Sequence, residues 1–409
     1  MTSFLTAFLG LWLIAAPFTL GYPEDSLNSL ICGILLVISG WLSRNKPQAN
    51  WLGCFVGLWL QLAPLVFWAK SPASYSNDTF VGLLAILFTI IIPGIPGFVE
   101  KKGPTIPPGW SYNPSSYAQR LPIILLATFA WFIARYLAAY QLGYITTVWD
   151  PFFGQGTLRV ITSSISKSFP VPDAGLGAFA YSLEVLLACK GSSSRWRTMP
   201  WLVIFFGILV VPVGIISIIL IILQPLAVGF WCGLCLMIAA AMLIMVALTL
   251  DEILAVWQLL KRTKKQDLWT TFWKGASGKE DPSIDPPLTS SCLTLLKAGF
   301  KGCSLSWKVV VSFCLGIFLV ISPSFFSLSS FHTHSNQLIG PLVIATTFIT
   351  LADVAKKASR LFFLFGIYIL LTAFFPSFSF NNLYLLGPTG ALLILMSRGN
   401  CKTIPGDQI

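Results

Sequence analysis

The sequence predicts an all-α polytopic integral membrane protein with about twelve transmembrane helices. The 409 residues are 56% hydrophobic and 10% charged, with a mean hydropathy of +0.79, which is outside the range of soluble domains. Apolar runs of about 20 residues, the length that a helix needs to cross a bilayer, recur along nearly the whole chain. Since these runs lack the alternation of a membrane barrel, their backbone groups have to pair within helices.

The predicted spans follow the apolar runs in chain order. They are 4–21, 27–44, 51–69, 77–97, 119–146, 173–190, 200–225, 230–261, 308–329, 337–353, 358–376 and 382–397. The first run has neither the basic start nor the small-residue cleavage site of a signal peptide, so we expect it to remain as a span.

Basic side chains mark one side of the predicted membrane. Of the 26 Lys and Arg residues, all but Lys70, Arg135, Arg159 and Lys167 fall in loops or span ends on one side of a twelve-span chain. The positive-inside rule therefore predicts that both termini are cytoplasmic. We expect the membrane to be a bacterial inner membrane. The net charge of +11 is therefore explained by the orientation of the chain in the membrane, so membrane lipid is an expected partner and nucleic acid is not. The alternative is a basic patch that binds anionic lipid or nucleic acid.

A helical hairpin motif repeats twice at each end of the chain. In the first three copies a Gly precedes a Pro by seven residues, and the first two copies read GLWLIAAP and GLWLQLAP. Gly allows two helices to approach closely, and a Pro late in the first helix breaks a backbone hydrogen bond where the loss matters least. The copies are Gly10, Pro17, Asn28 and Gly33; Gly57, Pro64, Asn77 and Gly82; Gly316, Pro323, Asn336 and Gly340; and Gly366, Ala373, Asn382 and Gly387.

This motif resembles the SPW-repeat family of small membrane modules, over about 1–98 and 308–398. The resemblance implies packing units and no catalytic role. Two linkers rich in Pro, Gly, Ser and charge separate the ends from a middle unit. The predicted domains are two hairpins at 1–98, a cytoplasmic linker at 99–118, a four-helix unit at 119–262, a second cytoplasmic linker at 263–306 and two hairpins at 307–400.

Cys232 and Cys235, in the run FWCGLC, are the strongest candidates for chemistry. We expect them in the first turn of the eighth span, facing the periplasm. Peptide dipoles at a helix N-terminus favour a thiolate, and two cysteines three residues apart are close enough for a reversible disulfide. The alternative is a pair of ordinary apolar cysteines in a membrane helix, because Cys is among the most buried residue types.

The segment from about 119 to 262 resembles the vitamin K epoxide reductase family. The resemblance rests on TLRVITSSISKSFPVPDAGLGAFAY at 157–181, on QPLAVGFWCGLC at 224–235 and on the order of four helices. Bacterial members couple disulfide formation to quinone reduction, which implies a quinone of the ubiquinone or menaquinone type and a redox role for Cys232 and Cys235. By motif, the family's quinone-pocket positions correspond to Ser163, Asp173, Gly177 and Tyr181.

The chain departs from that family in the outer loop between the first two core helices. Family members usually carry a second cysteine pair there, which relays electrons from the substrate, but this loop reads TTVWDPFFGQGTLRV. The aligned Trp149 and Thr157 cannot exchange disulfides. Either a cysteine of a partner attacks the Cys232–Cys235 disulfide directly, or the fold has kept its pocket for another use. Cys32, near the outer face, is either a replacement relay or, as we rather expect, a packed membrane cysteine.

Asp173 and the aromatic residues of the outer loop each allow two interpretations. Asp173 occupies a position where the family usually has an amide, and it either stays protonated to hydrogen-bond a quinone carbonyl or caps the sixth span. Trp149, Asp150, Phe152 and Phe153 form either a lid over a ring ligand or an ordinary interfacial aromatic group.

Arg135 and Glu184 are the ionisable residues placed deepest in the predicted spans, at similar depth. Because an unpaired charge in hydrocarbon is costly, we expect an ion pair between them, as a structural clamp in preference to a proton pathway. His332 and His334 lie in a predicted loop, and two ligands are fewer than a metal site needs, so no metal is predicted.

Asp251 and Glu252 lie near the inner end of the eighth span and are expected to pair with Lys261 or Arg262 at the interface. The chain contains no Gly-rich phosphate loop, no Gly-X-Ser-X-Gly elbow and no carboxylate-rich cluster. Hydrolase and nucleotide-binding functions therefore have no support in the sequence.

The sequence thus favours a membrane thiol–disulfide oxidoreductase that passes electrons from a protein thiol through Cys232 and Cys235 to a quinone. The expected partner is a thioredoxin-like protein of the periplasm or of a lumen, and a homo-oligomer is left open. The first alternative is a non-catalytic quinone- or lipid-binding scaffold on the same fold. The second is a transporter, for which intramembrane polar residues are few.

Overall fold

The computed structural model describes residues 2–90, 101–279, 289–326, 328–374 and 380–398. Helices dominate these residues, which contain no β-strand and one isolated bridge between Cys303 and Ala352. The predicted all-α membrane fold is confirmed.

A helix of 14 or more residues lies at each of the twelve predicted spans in the described chain. These helices are α1 Thr2–Thr19, α2 Ser26–Leu42, α3 Asn50–Val66, α4 Pro72–Thr89, α5 Tyr117–Gln141, α6 Asp173–Cys189, α7 Pro200–Leu223, α8 Gly233–Arg262, α9 Trp307–Phe325, α10 Ser330–Ile349, α11 Leu361–Phe374 and α12 Phe380–Met396. Among the described residues, 7 helices are long and apolar enough to cross a membrane, or 8 if Gly156–Ser168 and Asp173–Cys189, bent by 87°, form one broken span. The number of about twelve crossings stays a prediction.

The chain divides into two compact units. The first unit contains 1–100 and 128–187, and the second contains 101–127 and 188–409. Helices α5 and α6 therefore contribute residues to both units.

Glycines of the repeat hold the helices of the first unit together. A Cβ added at Gly10 would lie 2.7 Å from the backbone N of Val37, and one at Gly57 would lie 2.8 Å from the carbonyl O of Gly82. Since real Cβ atoms do not approach so closely, these positions require glycine. Leucines, valines and other apolar side chains form a buried core across α1–α4, and a second cluster joins Leu186 of α6 to Cys54 and Ile86.

The same contact recurs in the second unit, with one correction to the sequence analysis. A Cβ added at Gly316 would lie 3.2 Å from the carbonyl O of Gly340, as the spacing predicts. In the fourth copy, however, Gly366 faces Gly390, 2.7 Å from its carbonyl O, and the predicted Gly387 was the wrong residue. The error has a simple cause, since residues three apart lie on nearly the same face of a helix.

Buried charges connect α8 to the loops of the second unit. Arg195 donates two hydrogen bonds to the Glu252 carboxylate, at 2.7 and 2.6 Å, and the Ser115 hydroxyl donates a third. The Tyr112 hydroxyl donates to Asp251 at 2.8 Å, and burial together with this carboxylate raises the pKa of Tyr112. The expected pairing with Lys261 or Arg262 was wrong for both acids, because those residues lie more than two turns further along the helix.

Candidate redox site

Cys232 and Cys235 form a disulfide at the start of α8, with their Cα atoms 5.2 Å apart. Cys232 is the N-cap residue, and α8 begins at Gly233. The backbone N–H of Cys235 donates to the Cys232 sulfur at 3.1 Å. This sulfur therefore occupies the end of a 30-residue helix, where free N–H groups and the helix dipole favour negative charge.

The chain before the disulfide holds Cys232 in place. A π-helical turn, Gln224–Val228, ends at Gly229, whose φ of 76° suits glycine. The Gln224 side chain is buried, and its Oε1 accepts the backbone N–H of Cys232 at 2.9 Å. A backbone N–H at the start of a helix has no carbonyl acceptor within that helix. The Gln224 side chain therefore serves as the acceptor for the Cys232 N–H. It lies inside the QPLAVGFWCGLC run, but the sequence analysis did not single it out.

The two sulfur-bearing residues differ in exposure. Cys232 is fully buried, at 0%, whereas Cys235 is half-buried. A thiol that approaches this disulfide therefore has better access to Cys235.

Two of the predicted pocket residues, Ser163 and Asp173, form a polar group in the first unit, whereas the cysteine pair belongs to the second. Ser163 Oγ accepts the backbone N–H of Ser166 at 3.3 Å, and Ser166 Oγ donates to Asp173 at 2.9 Å. The Gln141 amide donates to the same Asp173 oxygen at 2.5 Å, as does the N–H of Ala174 at 2.9 Å. Asp173 is thus an acceptor that organises the start of α6, and its role toward a quinone stays a prediction.

Gly177 and Tyr181 follow on the same helix. A Cβ added at Gly177 would lie 3.6 Å from the Tyr181 ring and 3.9 Å from Ala134. The Tyr181 side chain is buried. The small residue therefore lies beside the ring one turn later, and the assignment of this pair to a ligand stays a prediction.

A cavity of about 470 Å³ opens beside the Asp173 group, within the size range of small-molecule sites. Its walls include Trp68, Tyr140 and Phe169, and its polar groups include Gln141 and Ser166. Aromatic walls with amide and hydroxyl groups fit a ring that carries carbonyl oxygens.

Trp68 is an unexpected member of this cavity lining. Its φ of 49° is positive, which among the described residues other than glycine occurs here alone. Such a conformation is strained for a bulky residue and is a reason to look for a function. The sequence analysis missed Trp68, because it lies in a hairpin turn and outside the vitamin K epoxide reductase resemblance.

The outer loop is held by a carboxylate where the family has cysteines. Asp150 accepts the backbone N–H groups of Phe152 and Phe153 at 2.8 and 2.9 Å, and the buried Thr157 hydroxyl donates to it at 2.6 Å. The Trp149 side chain is 70% exposed. Asp150 therefore folds the loop, and a lid function of the aromatic residues stays a prediction.

The predicted ion pair between Arg135 and Glu184 was wrong. Arg135 donates to Thr79 Oγ1 at 2.7 Å and stacks on Tyr75, with its guanidinium 4.4 Å from the ring centroid. Both carboxyl oxygens of Glu184 are buried and lack a hydrogen-bond partner among the described residues. Equal depth along two helices did not ensure that the side chains share a face, and α4 offered Arg135 other partners.

His332 and His334 both lie in α10, so their predicted placement in a loop was wrong. The Nδ1 of His332 pairs with Ser329 Oγ at 2.7 Å, and its Nε2 pairs with the carbonyl O of Thr372 at 2.9 Å. The buried ring thus ties α10 to the end of α11.

Two parts of the chain match known protein families. Residues 121–250 match the Vitamin K epoxide reductase family. Residues 1–91 match the SPW repeat domain. The vitamin K epoxide reductase resemblance and the N-terminal SPW resemblance are confirmed, and the SPW resemblance of 308–398 stays a prediction. All six predicted site residues fall within the vitamin K epoxide reductase match. No curated protein and no solved structure matches the chain.

Proposed function

We propose that this integral membrane protein is a thiol–disulfide oxidoreductase of the vitamin K epoxide reductase type. In this role it passes electrons from a partner protein's thiols through Cys232 and Cys235 to a quinone. The proposal rests on the Cys232–Cys235 disulfide at the N-terminus of α8, inside the segment that matches this family.

Exposure and helix position suggest which sulfur reacts first. A partner thiolate attacks Cys235, the more exposed sulfur. A bond forms between the partner and Cys235, the Cys232–Cys235 bond breaks, and the electron pair stays on Cys232. The N–H of Cys235 and the helix dipole stabilise this leaving thiolate. A stabilised leaving group speeds disulfide exchange.

The second partner thiol completes the exchange. It attacks the partner sulfur of the mixed disulfide, which releases Cys235 and leaves the partner oxidised. With two protons taken up, Cys232 and Cys235 are then a dithiol that holds the two electrons. Those electrons and protons pass to a quinone, which becomes a quinol as the Cys232–Cys235 bond forms again. Ser163, Asp173, Gly177 and Tyr181 are proposed to line the quinone site, supported by Gln141 and Ser166.

Direct attack replaces the missing loop relay in this scheme. In the outer loop the Thr157 hydroxyl donates a hydrogen bond to Asp150. The loop contains no cysteine. We therefore infer that a thioredoxin-like dithiol protein of the periplasm reaches Cys235 itself.

Thiol trapping of the full-length protein in native membranes tests this proposal. Added quinone is expected to convert reduced Cys232 and Cys235 to the disulfide. With the partner in its oxidised form, Cys232→Ser is expected to accumulate a mixed disulfide, because the Cys235 thiolate attacks the partner's disulfide and no Cys232 remains to displace the partner. Cys235→Ser should accumulate much less, because Cys232 is buried. Cys314→Ser, which removes an exposed free cysteine of α9, is the matched control and should behave like the wild type.

A pair that stays reduced whether or not quinone is added would refute the oxidoreductase function. The second candidate, a non-catalytic quinone- or lipid-binding scaffold, would then take its place. The observation that favours this second candidate is the cysteine-free outer loop.

A further inference from the structure

The first two hairpins exchange hydrogen bonds in a pseudo-symmetric way. Trp12 Nε1 donates to Asn77 Oδ1, and Trp59 Nε1 donates to Asn28 Oδ1, each at 2.9 Å. These tryptophans and asparagines occupy matching positions of the repeat. Each hairpin therefore donates from its first helix to the second helix of the other.

One carboxylate breaks this symmetry. The residue after Asn28 is Ser29, whereas the residue after Asn77 is Asp78. The two meet, with Ser29 Oγ donating to Asp78 Oδ1 at 3.3 Å, and Asn28 and Asn77 also donate to this carboxylate, each at 3.4 Å. Asp78 is 2% exposed, and these neutral donors lie at the long end of the hydrogen-bond range.

The C-terminal hairpins keep one of these two hydrogen bonds and have no acid there. Tyr368 and Ser335, which match Trp59 and Asn28 relative to the close-contact glycines, hydrogen-bond at 3.3 Å. The positions that match Ser29 and Asp78 are Asn336 and Leu386. Packing of the repeat therefore does not require a carboxylate, and Asp78 needs another explanation.

Asp78 lines a cavity of about 640 Å³. Phe55, Trp59 and Phe67 contribute aromatic surface, and apolar side chains cover most of the remainder. Glu24 is the other charged residue in the described lining, and it forms an exposed pair with Lys70 at 3.3 Å. The cavity thus combines a buried carboxylate with aromatic walls.

We propose that this cavity binds an organic cation with an apolar body. Its protonated amine would donate to Asp78, and its apolar body would pack against Phe55, Trp59 and Phe67. A carboxylate buried beside a largely apolar cavity is costly to keep charged, and it favours the approach of a cation. Aromatic rings beside a carboxylate attract ammonium groups. The proposal is independent of the redox function and of Cys232 and Cys235.

Two sources share this chemistry. One is the headgroup of an aminophospholipid from the surrounding bilayer, and the other is a free amphipathic amine. Both present an ammonium group on an apolar body, so the test has to separate them.

Calorimetric titration of the full-length protein in dodecyl maltoside, a detergent without a cationic group, tests the site. The probe is dodecylammonium, and the matched neutral probe is dodecanol. We expect the wild type to bind the amine about tenfold more tightly than the alcohol, as one charge-assisted hydrogen bond allows. Asp78→Asn should abolish this preference and leave binding of the alcohol unchanged. Glu24→Gln, at the rim, should keep the preference within about twofold, as expected for an exposed charge.

Competition identifies the source. Displacement of dodecylammonium by phosphatidylethanolamine but not by phosphatidylglycerol supports the lipid headgroup, and no displacement by either supports a free amine. Equal affinity of the wild type for amine and alcohol would overturn the proposal, even if Asp78→Asn fails to fold. An amine preference that persists in Asp78→Asn would overturn it as well.

Discussion

The buried pair of Arg195 and Glu252 should dominate the stability of the second unit. Their side chains are 0% and 3% exposed, with N–O distances of 2.6 and 2.7 Å. Glu252→Ala leaves the Arg195 guanidinium buried without its carboxylate, and the Ser115 hydroxyl loses its acceptor. Removal of one partner of such a pair costs about 3–5 kcal/mol of unfolding free energy.

The double variant Arg195→Met with Glu252→Met separates a lost partner from a lost ion pair. Because it leaves neither charge buried, it should recover part of the stability that Glu252→Ala loses. Recovery is expected to be incomplete, because Arg195 also donates to the carbonyl O of Lys190 at 2.9 Å.

Reversible unfolding in mixed micelles, followed by far-UV circular dichroism, measures these free energies. The matched control is Lys70→Met, which removes an exposed pair with side chains 83% and 73% accessible and should cost less than about 1 kcal/mol. Equal losses for Glu252→Ala and Lys70→Met would refute the reasoning from burial.

Three further outcomes follow from the structure. Gln224→Leu should leave the Cys232 N–H without its acceptor, cost about 1–3 kcal/mol and slow reoxidation of the disulfide in the trapping assay. Gly57→Val should separate its hairpin, because a Cβ would lie 2.8 Å from the Gly82 carbonyl O, and should lower the melting temperature in detergent. Burial and nearby Asp251 raise the pKa of Cys303 to about 12, so its thiol should stay protonated and react slowly with iodoacetamide at pH 8.

Each of these has a matched control. Gln48→Leu, in the short 3-10 turn Pro47–Ala49, should leave reoxidation at the wild-type rate. Gly177→Ala should be tolerated in melting experiments, because its neighbours at 3.6 and 3.9 Å leave room for a methyl group. Cys292, an exposed free cysteine, should react with iodoacetamide much faster than Cys303. The structural reasoning would be contradicted by Gly57→Val melting like Gly177→Ala, or by equal reactivity of the two cysteines.

The start of α8 was predictable because two local rules agree there. An apolar run sets the helix, and the Cys-X-X-Cys spacing puts both sulfurs in its first turn. The close helix contacts at Gly10, Gly57 and Gly316 were likewise predictable from one repeated spacing. Both inferences depend on short stretches of chain.

The predictions that were wrong concern side-chain contacts between residues far apart in the sequence. The depth of Arg135 and Glu184 in the predicted membrane follows from their positions along their helices. The direction in which each side chain points depends on how the helices pack, which the sequence does not show. Glu252 pairs with Arg195, 57 residues away, and no local pattern indicates that choice. Gln224 and Trp68 were missed for another reason, since neither a lone amide nor a tryptophan near a turn carries a signal of its own.

The division of the chain into two units limits which segments can be deleted or expressed separately. The first unit unites hairpins α1–α4 with 128–187, and Leu186 packs in one cluster with Cys54 and Ile86. Deletion of the hairpins would expose that cluster, and deletion of 128–187 would strip the hairpins of part of their core. The SPW-like segment and the segment that matches the vitamin K epoxide reductase family therefore depend on each other for folding. We expect both to be insoluble when they are expressed as two separate chains.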